Sequence, residues 1–257
     1  MSAPALAGRR VVVTRPAAQS AHMSALIRAA GGEPLLFPAL EILDAAHLQP
    51  AIALIERLDS FDLAIFISAN AVNKALDLVR ARRDWPAGLR VATVGRGSER
   101  ELQRYGFTGV IAPAERFDSE GLLELPELKQ VAGKRVVIFR GEGGRELLGD
   151  ALSARGATVE YAECYRRGRP DADPAPLLAL CARQALDAFT VTSSEGLANL
   201  QCMLGEAGRR CLNQTPLFAP HERIAVAARA SGVQTVVLTG PGDEGLVAGM
   251  TAFFAKV

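Results

Sequence analysis

The sequence predicts an α/β fold of two similar domains, each a parallel β-sheet flanked by helices, joined by a two-stranded linker. One observation behind this prediction is an internal repeat, because four short segments recur in the same order about 125 residues later. The other is an alternation of short apolar runs with helix-like stretches, which is typical of parallel sheets covered on both faces. The segments 8–15, 61–68, 120–122 and the stretch ending at 106 recur as 133–140, 186–193, 244–246 and the stretch ending at 232.

The elements of the first copy follow a regular order. Each predicted strand is a short run rich in β-branched or apolar residues, and small or polar residues follow it where a helix begins. The second copy begins at residue 135 and keeps the same order to the C-terminus. The predicted strands of the first copy are 11–13, 34–37, 61–68, 91–94 and 110–112, and its predicted helices are 19–30, 71–82, one ending at 105 and one opening at 119.

Two domain organisations are compatible with the repeat. Taken alone, it predicts sequential domains that meet near residue 126. The segments 37–42 and 164–170 both contain proline and look like crossings between domains, and the second leads into a proline-rich stretch. If both are linkers, residues 1–37 and 170–257 form one discontinuous domain. Residues 42–163 are then an inserted second domain, with linker strands at 38–41 and 164–169.

Composition excludes several classes of protein. The chain has 257 residues, 49% of them hydrophobic, and a net charge of +1, so its bulk charge does not indicate binding to nucleic acid or to an anionic membrane. Its N-terminus has no long apolar core, and no apolar run is long enough to span a bilayer. The four cysteines form no CxxC pair and are expected to be free thiols in a reducing, cytoplasmic compartment.

Candidate binding residues follow the predicted strands, where small polar residues precede helices. Ligands of parallel sheets bind beyond the carboxyl ends of the strands, and helix N-termini there favour anions. Ordinary helix capping is the alternative interpretation at each position. The paired placement of Ser68 and Ser193 in the two copies favours a shared use. The candidates of this kind are Ser68, Asn70, Gly95, Gly97, Ser98, Gly141, Thr192 and Ser193.

Charged and aromatic residues add further candidates. Arg15 and Arg140 match across the repeat at strand ends, where a carboxylate or phosphate would arrive, although each could instead pair with a nearby acid. His221 falls at a strand-to-helix turn, and a solvated cap is its alternative role. Tyr165, at the start of the second linker, could donate a proton to a leaving oxygen or could simply pack beside Tyr161.

The chain shows no signature of a cofactor or metal site. The segment 95–97 is only a fragment of a dinucleotide fingerprint, because position 100 is Arg100 rather than glycine, and a Walker loop is absent. The three histidines lie far apart without metal-ligand spacing. No Ser–His–Asp set can be assembled. We therefore expect neither a nucleotide cofactor nor a metal.

In order and spacing, these segments together resemble the uroporphyrinogen-III synthase family. The resemblance covers nearly the whole chain, and each motif is loose when taken alone. The turn at 220–223 departs from the glycine-rich pattern common in the family. The segments that carry the resemblance are 12–16, 66–72, 94–95, 140–141 with 144–146, 165–167 and 192–197.

The resemblance implies a cofactor-independent lyase of porphyrin and heme biosynthesis. Its substrate would be hydroxymethylbilane, a linear tetrapyrrole with eight carboxylates, held in a cleft between the domains. Water is lost, an azafulvene forms, ring D is inverted through a spiro intermediate and the macrocycle closes. The resemblance assigns the catalytic tyrosine to Tyr165 and substrate contacts to Ser68, to residues 95–98 and to residues 192–193.

The remaining expectations concern partners and an alternative class of protein. Arg15, Asn70, Arg140, Gly141, Arg145 and His221 complete the expected substrate-binding set. A monomer is expected, with a transient handover of substrate from hydroxymethylbilane synthase. The alternative is a non-catalytic, two-domain cytosolic sensor that binds a small ligand, and turnover distinguishes the two.

Overall fold

The structure, a computed structural model, describes residues 4–256, and these fall into two compact units. The first unit contains the chain up to Glu41 and again from Gly168 onward. The second unit is the stretch Ile42–Arg167 between those two parts. The alternative of two sequential domains meeting near residue 126 is therefore not what the structure shows.

Strands and helices alternate along the described residues, which confirms the predicted α/β class. None of the described helices is long and apolar enough to cross a membrane. The strands are β1 (Arg10–Val13), β2 (Glu33–Leu36), β3 (Glu41–Asp44), β4 (Leu63–Phe66), β5 (Arg90–Thr93), β6 (Arg135–Gly141), β7 (Thr158–Gly168), β8 (Ala188–Thr190), β9 (Leu217–Ala219) and β10 (Val236–Leu238). The helices are α1 (Ala21–Ala29), α2 (Gln49–Glu56), α3 (Ala69–Arg80), α4 (Arg96–Arg104), α5 (Ser119–Leu123), α6 (Pro126–Lys129), α7 (Leu147–Ala154), α8 (Ala175–Ala182), α9 (Ser194–Gln214), α10 (Glu222–Ala230) and α11 (Gly242–Phe254).

Each unit contains one five-stranded sheet. The strand order is β10-β9-β8-β1-β2 in the first unit and β3-β7-β6-β4-β5 in the second. In the first sheet every neighbouring pair is parallel, and in the second the pairs β7–β6, β6–β4 and β4–β5 are parallel. The carboxyl ends of these parallel strands therefore lie along one edge of each sheet.

The repeat in the sequence is also a repeat in strand register. In the first unit Val11 lies opposite Ala188, and in the second unit Val136 lies opposite Leu63. These are equivalent pairs, since each residue of one pair lies about 125 positions from its counterpart in the other. Each sheet consequently combines strands from both copies: β1 and β2 share a sheet with β8–β10 through the pair β1–β8, while β4 and β5 share a sheet with β6 and β7 through the pair β4–β6.

The central strands are buried on both faces. Along β6, Val137 and Phe139 pack into one apolar cluster and the alternating Val136 and Ile138 pack into another. Phe66 of β4 stacks on Phe139 with ring centroids 4.8 Å apart. Such continuous apolar runs are typical of parallel strands covered by helices on both sides. These strands therefore give the residues at their carboxyl ends a closely packed support.

Two predicted segments have a specific form in the structure. The predicted linker segment 164–169 is continuous with β7, which runs to Gly168, and its residues up to Arg167 belong to the second unit. The strand expected at 110–112 is reduced to a single bridge between Ile111 and Ala92. Pro113 follows immediately, and since proline has no backbone N–H it cannot extend the ladder.

The expectation of four free thiols is wrong for two of the cysteines. Cys181 and Cys211 form a disulfide, whereas Cys164 and Cys202 are free. The end of α8 packs against the C-terminal part of α9, which brings the two Cα atoms to 5.5 Å, within the range of a disulfide. A separation of 30 residues gave no sign of this pairing, because tertiary packing alone produces it.

Candidate functional site

Three predicted site segments lie at the same edge of the second sheet. Strands β6, β4 and β5 are parallel neighbours, so their carboxyl ends are adjacent. Ser68 follows β4, Gly95 follows β5 and Gly141 is the last residue of β6. Segments that are far apart in the sequence therefore supply one edge.

Two helices begin at this edge. Ser68 is the N-cap of α3, and its Oγ accepts a hydrogen bond of 3.0 Å from the backbone N–H of Ala71. Gly95 is the N-cap of α4 and has no side chain that could cap the helix. Asn70 and Gly97 lie in the first turns of α3 and α4, and Ser98 is buried. The first N–H groups of α4 and its dipole thus favour an anion.

Tyr165 reaches the same edge from β7. Its hydroxyl oxygen lies 3.0 Å from Oγ of Ser68, and the residue is completely buried. Its ring lies against Gly141, where a Cβ would approach Cε2 and Cζ to 2.7 Å. The alternative interpretation, in which Tyr165 only packs beside Tyr161, does not account for the hydrogen bond between its hydroxyl and Ser68.

The two arginines on this side of the second unit differ in exposure. Arg140 is buried, with its Nε 3.3 Å from the carbonyl of Gly141 and 3.7 Å from a carboxylate oxygen of Glu163. Its guanidinium also lies 4.7 Å from the ring centroid of Tyr161. Burial raises the pKa of Tyr161, and the charge of Arg140 partly opposes that rise. Arg145, in contrast, is exposed to solvent.

Sequence reasoning missed a cation–aromatic pair beside Gly95. The guanidinium carbon of Arg96 lies 4.6 Å from the ring centroid of Phe117, whose exposure is 42%. The ring also lies near Gly95, since a Cβ there would come within 3.9 Å of Cβ of Phe117. The glycines on both sides of Arg96 were the available signal, but nothing in the sequence linked them to Phe117, which lies beyond the bridge at Ile111.

The first unit repeats the helix starts but lacks the hydroxyl pair. Ser193 is the N-cap of α9, and its Oγ accepts from the N–H of Gly196 at 2.9 Å. Thr192 is partly buried beside it. His221 is the N-cap of α10, is exposed and makes no side-chain capping bond. The residue that corresponds to Tyr165 in the first copy is Leu40, which has no hydroxyl.

Arg15 does not stand alone at the end of β1. Its guanidinium forms an ion pair with Asp243 at the start of α11, and that carboxylate is almost fully buried. The alternative role considered for Arg15, pairing with a nearby acid, is the arrangement present in the structure. A ligand carboxylate would therefore have to compete with Asp243 for this guanidinium.

Neither a reactive thiol nor a metal-ligand cluster accompanies the hydroxyl pair in residues 4–256. Burial raises the pKa of Cys164, the neighbour of Tyr165, to about 12, so this thiol stays protonated and unreactive at neutral pH. No group of three or more His, Cys, Asp or Glu side chains in the described part of the chain could hold a metal ion. The groups available at the edge are hydroxyls, backbone N–H groups and guanidinium groups.

Comparison with known proteins shows what the chain resembles. A family model described as uroporphyrinogen-III synthase HemD matches residues 21–248. A uroporphyrinogen-III synthase of Salmonella typhimurium (strain LT2) is 34% identical over 236 residues, which cover 91% of this chain and 96% of the relative. The uroporphyrinogen-III synthase of Escherichia coli (strain K12) is 32% identical with the same coverage.

Solved structures support the same fold. A crystal structure of mutant uroporphyrinogen III synthase from the extremely thermophilic bacterium Thermus thermophilus matches with a TM-score of 0.62 and 20% identity, covering 97% of this chain and 100% of that one. The uroporphyrinogen-III synthetase of Helicobacter pylori 26695 matches with a TM-score of 0.59 and 15% identity, with coverage of 96% and 98%. At these identities the likeness concerns the fold.

Fold and site together define a class of α/β proteins with two repeated units, each of which places backbone N–H groups and hydroxyls at the carboxyl ends of its strands. The family model covers most of the chain, and two relatives exceed 30% identity over nearly their whole length. The chain belongs to the uroporphyrinogen-III synthase family. The family resemblance predicted from the sequence is thereby confirmed.

Proposed function

We propose that this chain converts hydroxymethylbilane to uroporphyrinogen III, with loss of water and inversion of ring D, and that it needs no cofactor. The observation that carries the proposal is the hydroxyl pair of Tyr165 and Ser68, with oxygens 3.0 Å apart. Loss of water from the substrate requires a donor to the departing oxygen, and general acid catalysis of this kind contributes about 10²–10⁴ in rate. Family membership supports the same reaction.

The eight carboxylates of the proposed substrate need many donors rather than one strong site. The starts of α3, α4, α9 and α10 offer backbone N–H groups and positive helix-dipole ends, each worth about 0.3–1 kcal/mol toward an anion. Arg145 is exposed and available for a carboxylate. Arg140 would have to exchange its Glu163 partner before binding one. The proposed binding residues are Arg15, Ser68, Asn70, Gly95, Gly97, Ser98, Arg140, Gly141, Arg145, Thr192, Ser193 and His221.

Orientation supplies the rest of the proposed catalysis. A flexible linear tetrapyrrole that is held by its carboxylates keeps its two ends close together, so ring closure becomes an intramolecular event with a high effective concentration. The free substrate closes to the unrearranged type I isomer, so the bound conformation must also select inversion of ring D. Rigid strand ends suit this task, because they hold their N–H groups in fixed directions.

Three further expectations belong to the same proposal. The enzyme is expected to act as a monomer, to reside in the cytoplasm and to receive its unstable substrate from hydroxymethylbilane synthase by transient contact. Gel filtration with light scattering tests the first of these. Cell fractionation tests the second, and the effect of added hydroxymethylbilane synthase on the yield of product tests the third.

The experiment that separates the enzyme from a binding sensor is a rate measurement. Purified protein in catalytic amounts is mixed with hydroxymethylbilane in buffer without added cofactor, and consumption of substrate is followed against spontaneous closure. We expect multiple turnovers, with a rate proportional to the protein concentration. The Salmonella typhimurium relative serves as the positive control. Stoichiometric binding with no acceleration would favour the sensor and contradict the proposal.

A further inference from the structure

The two hydroxyls of the proposed site differ in exposure. Tyr165 is 0% exposed, whereas Ser68, at the start of α3, is only partly buried. Their oxygens lie 3.0 Å apart. A ligand that arrives at this edge of the sheet therefore meets the oxygen of Ser68, while the phenol oxygen lies behind it.

The direction of the hydrogen bond follows from the available partners. Within residues 4–256, Ser68 is the one hydrogen-bond partner of the Tyr165 hydroxyl. If Ser68 donated its hydrogen to the phenol, the phenolic hydrogen would be buried without an acceptor, which folded proteins avoid. A phenol is also a stronger acid than an aliphatic alcohol. Both arguments make Tyr165 the donor and Ser68 the acceptor.

This direction leaves the hydrogen of Ser68 free. Its Oγ then accepts one hydrogen bond from Tyr165 and a second from the N–H of Ala71 at 3.0 Å. A hydroxyl accepts two hydrogen bonds and donates one, so the remaining hydrogen is available to a third group. Because hydrogen bonds in a chain polarise one another, the two bonds that Ser68 accepts make its own hydrogen a better donor.

We propose that Ser68 is the catalytic residue that protonates the leaving hydroxyl, and that Tyr165 acts through it as a positioning residue. The inference rests on the proposed function. The C–O bond of the hydroxymethyl group breaks, its electron pair goes to the departing oxygen, and the proton of Ser68 completes a water molecule. The electron pair of the pyrrole nitrogen fills the vacated position, and the N–H proton passes to solvent as the azafulvene forms. Ser68 regains its proton from solvent, to which it is partly exposed, while Tyr165 stays protonated and stabilises the Ser68 oxygen through its hydrogen bond.

The first unit provides a natural comparison for this arrangement. Ser193 caps α9 as Ser68 caps α3, with a similar bond to a backbone N–H. The first unit, however, has Leu40 at the position where the second unit has Tyr165. Ser193 therefore shares the capping role of Ser68 but lacks the phenol that would polarise it. We call the hydrogen-bonded pair of Tyr165 and Ser68 the relay. The effect of losing a helix cap can therefore be measured separately from the effect of losing the relay.

The test compares Ser68→Ala, Tyr165→Phe and the double variant by kcat and KM for hydroxymethylbilane. The relay predicts that kcat falls about 100-fold in Ser68→Ala and about tenfold in Tyr165→Phe, because the serine hydrogen remains in the latter. The double variant falls no further than Ser68→Ala alone, and KM changes far less than kcat. Ser68→Thr, which keeps the hydroxyl, recovers most of the lost kcat.

Two control measurements distinguish a loss of stability from a loss of catalysis. Ser68→Ala and Ser193→Ala should lower the melting temperature by similar amounts, because each loses one cap. In the Ser193→Ala background, Tyr165→Phe should keep its full tenfold effect. A larger loss of kcat in Tyr165→Phe than in Ser68→Ala, or a Ser68→Thr variant no better than Ser68→Ala, would overturn the relay. A wild-type chain without turnover would instead remove the proposed function itself.

Discussion

Gly141 determines how closely the ring of Tyr165 can approach strand β6. A Cβ at position 141 would lie 2.7 Å from Cε2 and Cζ of the tyrosine, closer than side chains tolerate. The ring cannot retreat easily, because Tyr165 is fully buried in the apolar cluster of the second unit. The glycine is thus required by packing from the neighbouring strand, and it places the phenol oxygen beside Ser68.

Gly141→Ala is expected to destabilise the chain by about 1–3 kcal/mol, the usual cost of forcing extra atoms into a packed core. Urea unfolding measures the change as a lower midpoint. Gly97→Ala is the matched control, because no atom lies within 4 Å of a Cβ there and alanine is favoured over glycine in a helix. Equal midpoints for Gly141→Ala and the wild type would contradict the packing argument.

At the scale of single elements, the repeat preserves how a helix packs on the loop before it. Gly121 in α5 and Gly245 in α11 occupy equivalent positions in the two copies. A Cβ on Gly121 would lie 1.9 Å from the carbonyl oxygen of Arg116, and one on Gly245 would lie 2.3 Å from the backbone of Gly240. The recurring Glu-Gly-Leu motif therefore reflects a close approach of backbone to helix in both units.

Two acid-sensitive ion pairs of Glu160 join three elements of the second unit. Glu160 of β7 contacts Arg57 at the end of α2 at 2.5 Å and Arg135 of β6 at 3.2 Å. The hydrogen bond from Arg57 lowers the pKa of Glu160 below its ordinary value of 4.5, and burial only partly opposes this effect. The unfolded chain therefore binds the proton at a higher pH than the folded chain does.

The free energy of unfolding should consequently fall as the pH is lowered. The contribution of Glu160 is fully present above its unfolded pKa and is lost as the pH falls through the lower, folded value. Urea titrations at a series of pH values between about 6 and 3 measure this loss. Glu160→Gln removes the titrating group, so its stability should depend less steeply on pH than that of the wild type. An identical pH dependence of stability in both proteins would show that the ion pairs of Glu160 do not cause the loss of stability at low pH.

At the scale of the whole molecule, the repeat fixed which strands are equivalent but not which strands pair. Strand pairing between β1 and β8 joins Val11 and Ala188, which are 177 positions apart, and no local pattern encodes such a contact. The proline-containing segments 37–42 and 164–170 favoured an inserted domain over two sequential ones. The unit boundary between Glu41 and Ile42 lies within the first of these segments. The disulfide between Cys181 and Cys211 had no comparable signal.

The candidate site was predictable to a similar extent. The spacing of polar residues after strands predicted that Ser68, Gly95 and Ser193 follow strands and begin helices, as they do in the structure. Tyr165 was assigned from the family resemblance, since its depth and its bond to Ser68 depend on packing around β7. Arg96 and Phe117 were missed because their contact joins a helix to a distant loop.

Whether these strand ends perform ring inversion is tested most directly by the isomer composition of the product. Hydroxymethylbilane is incubated with and without the protein, the products are oxidised to porphyrins, and the type I and type III isomers are separated by chromatography. We expect almost entirely type III with the protein and the unrearranged type I without it. An isomer ratio that stays at the uncatalysed value across a range of protein concentrations would contradict this expectation.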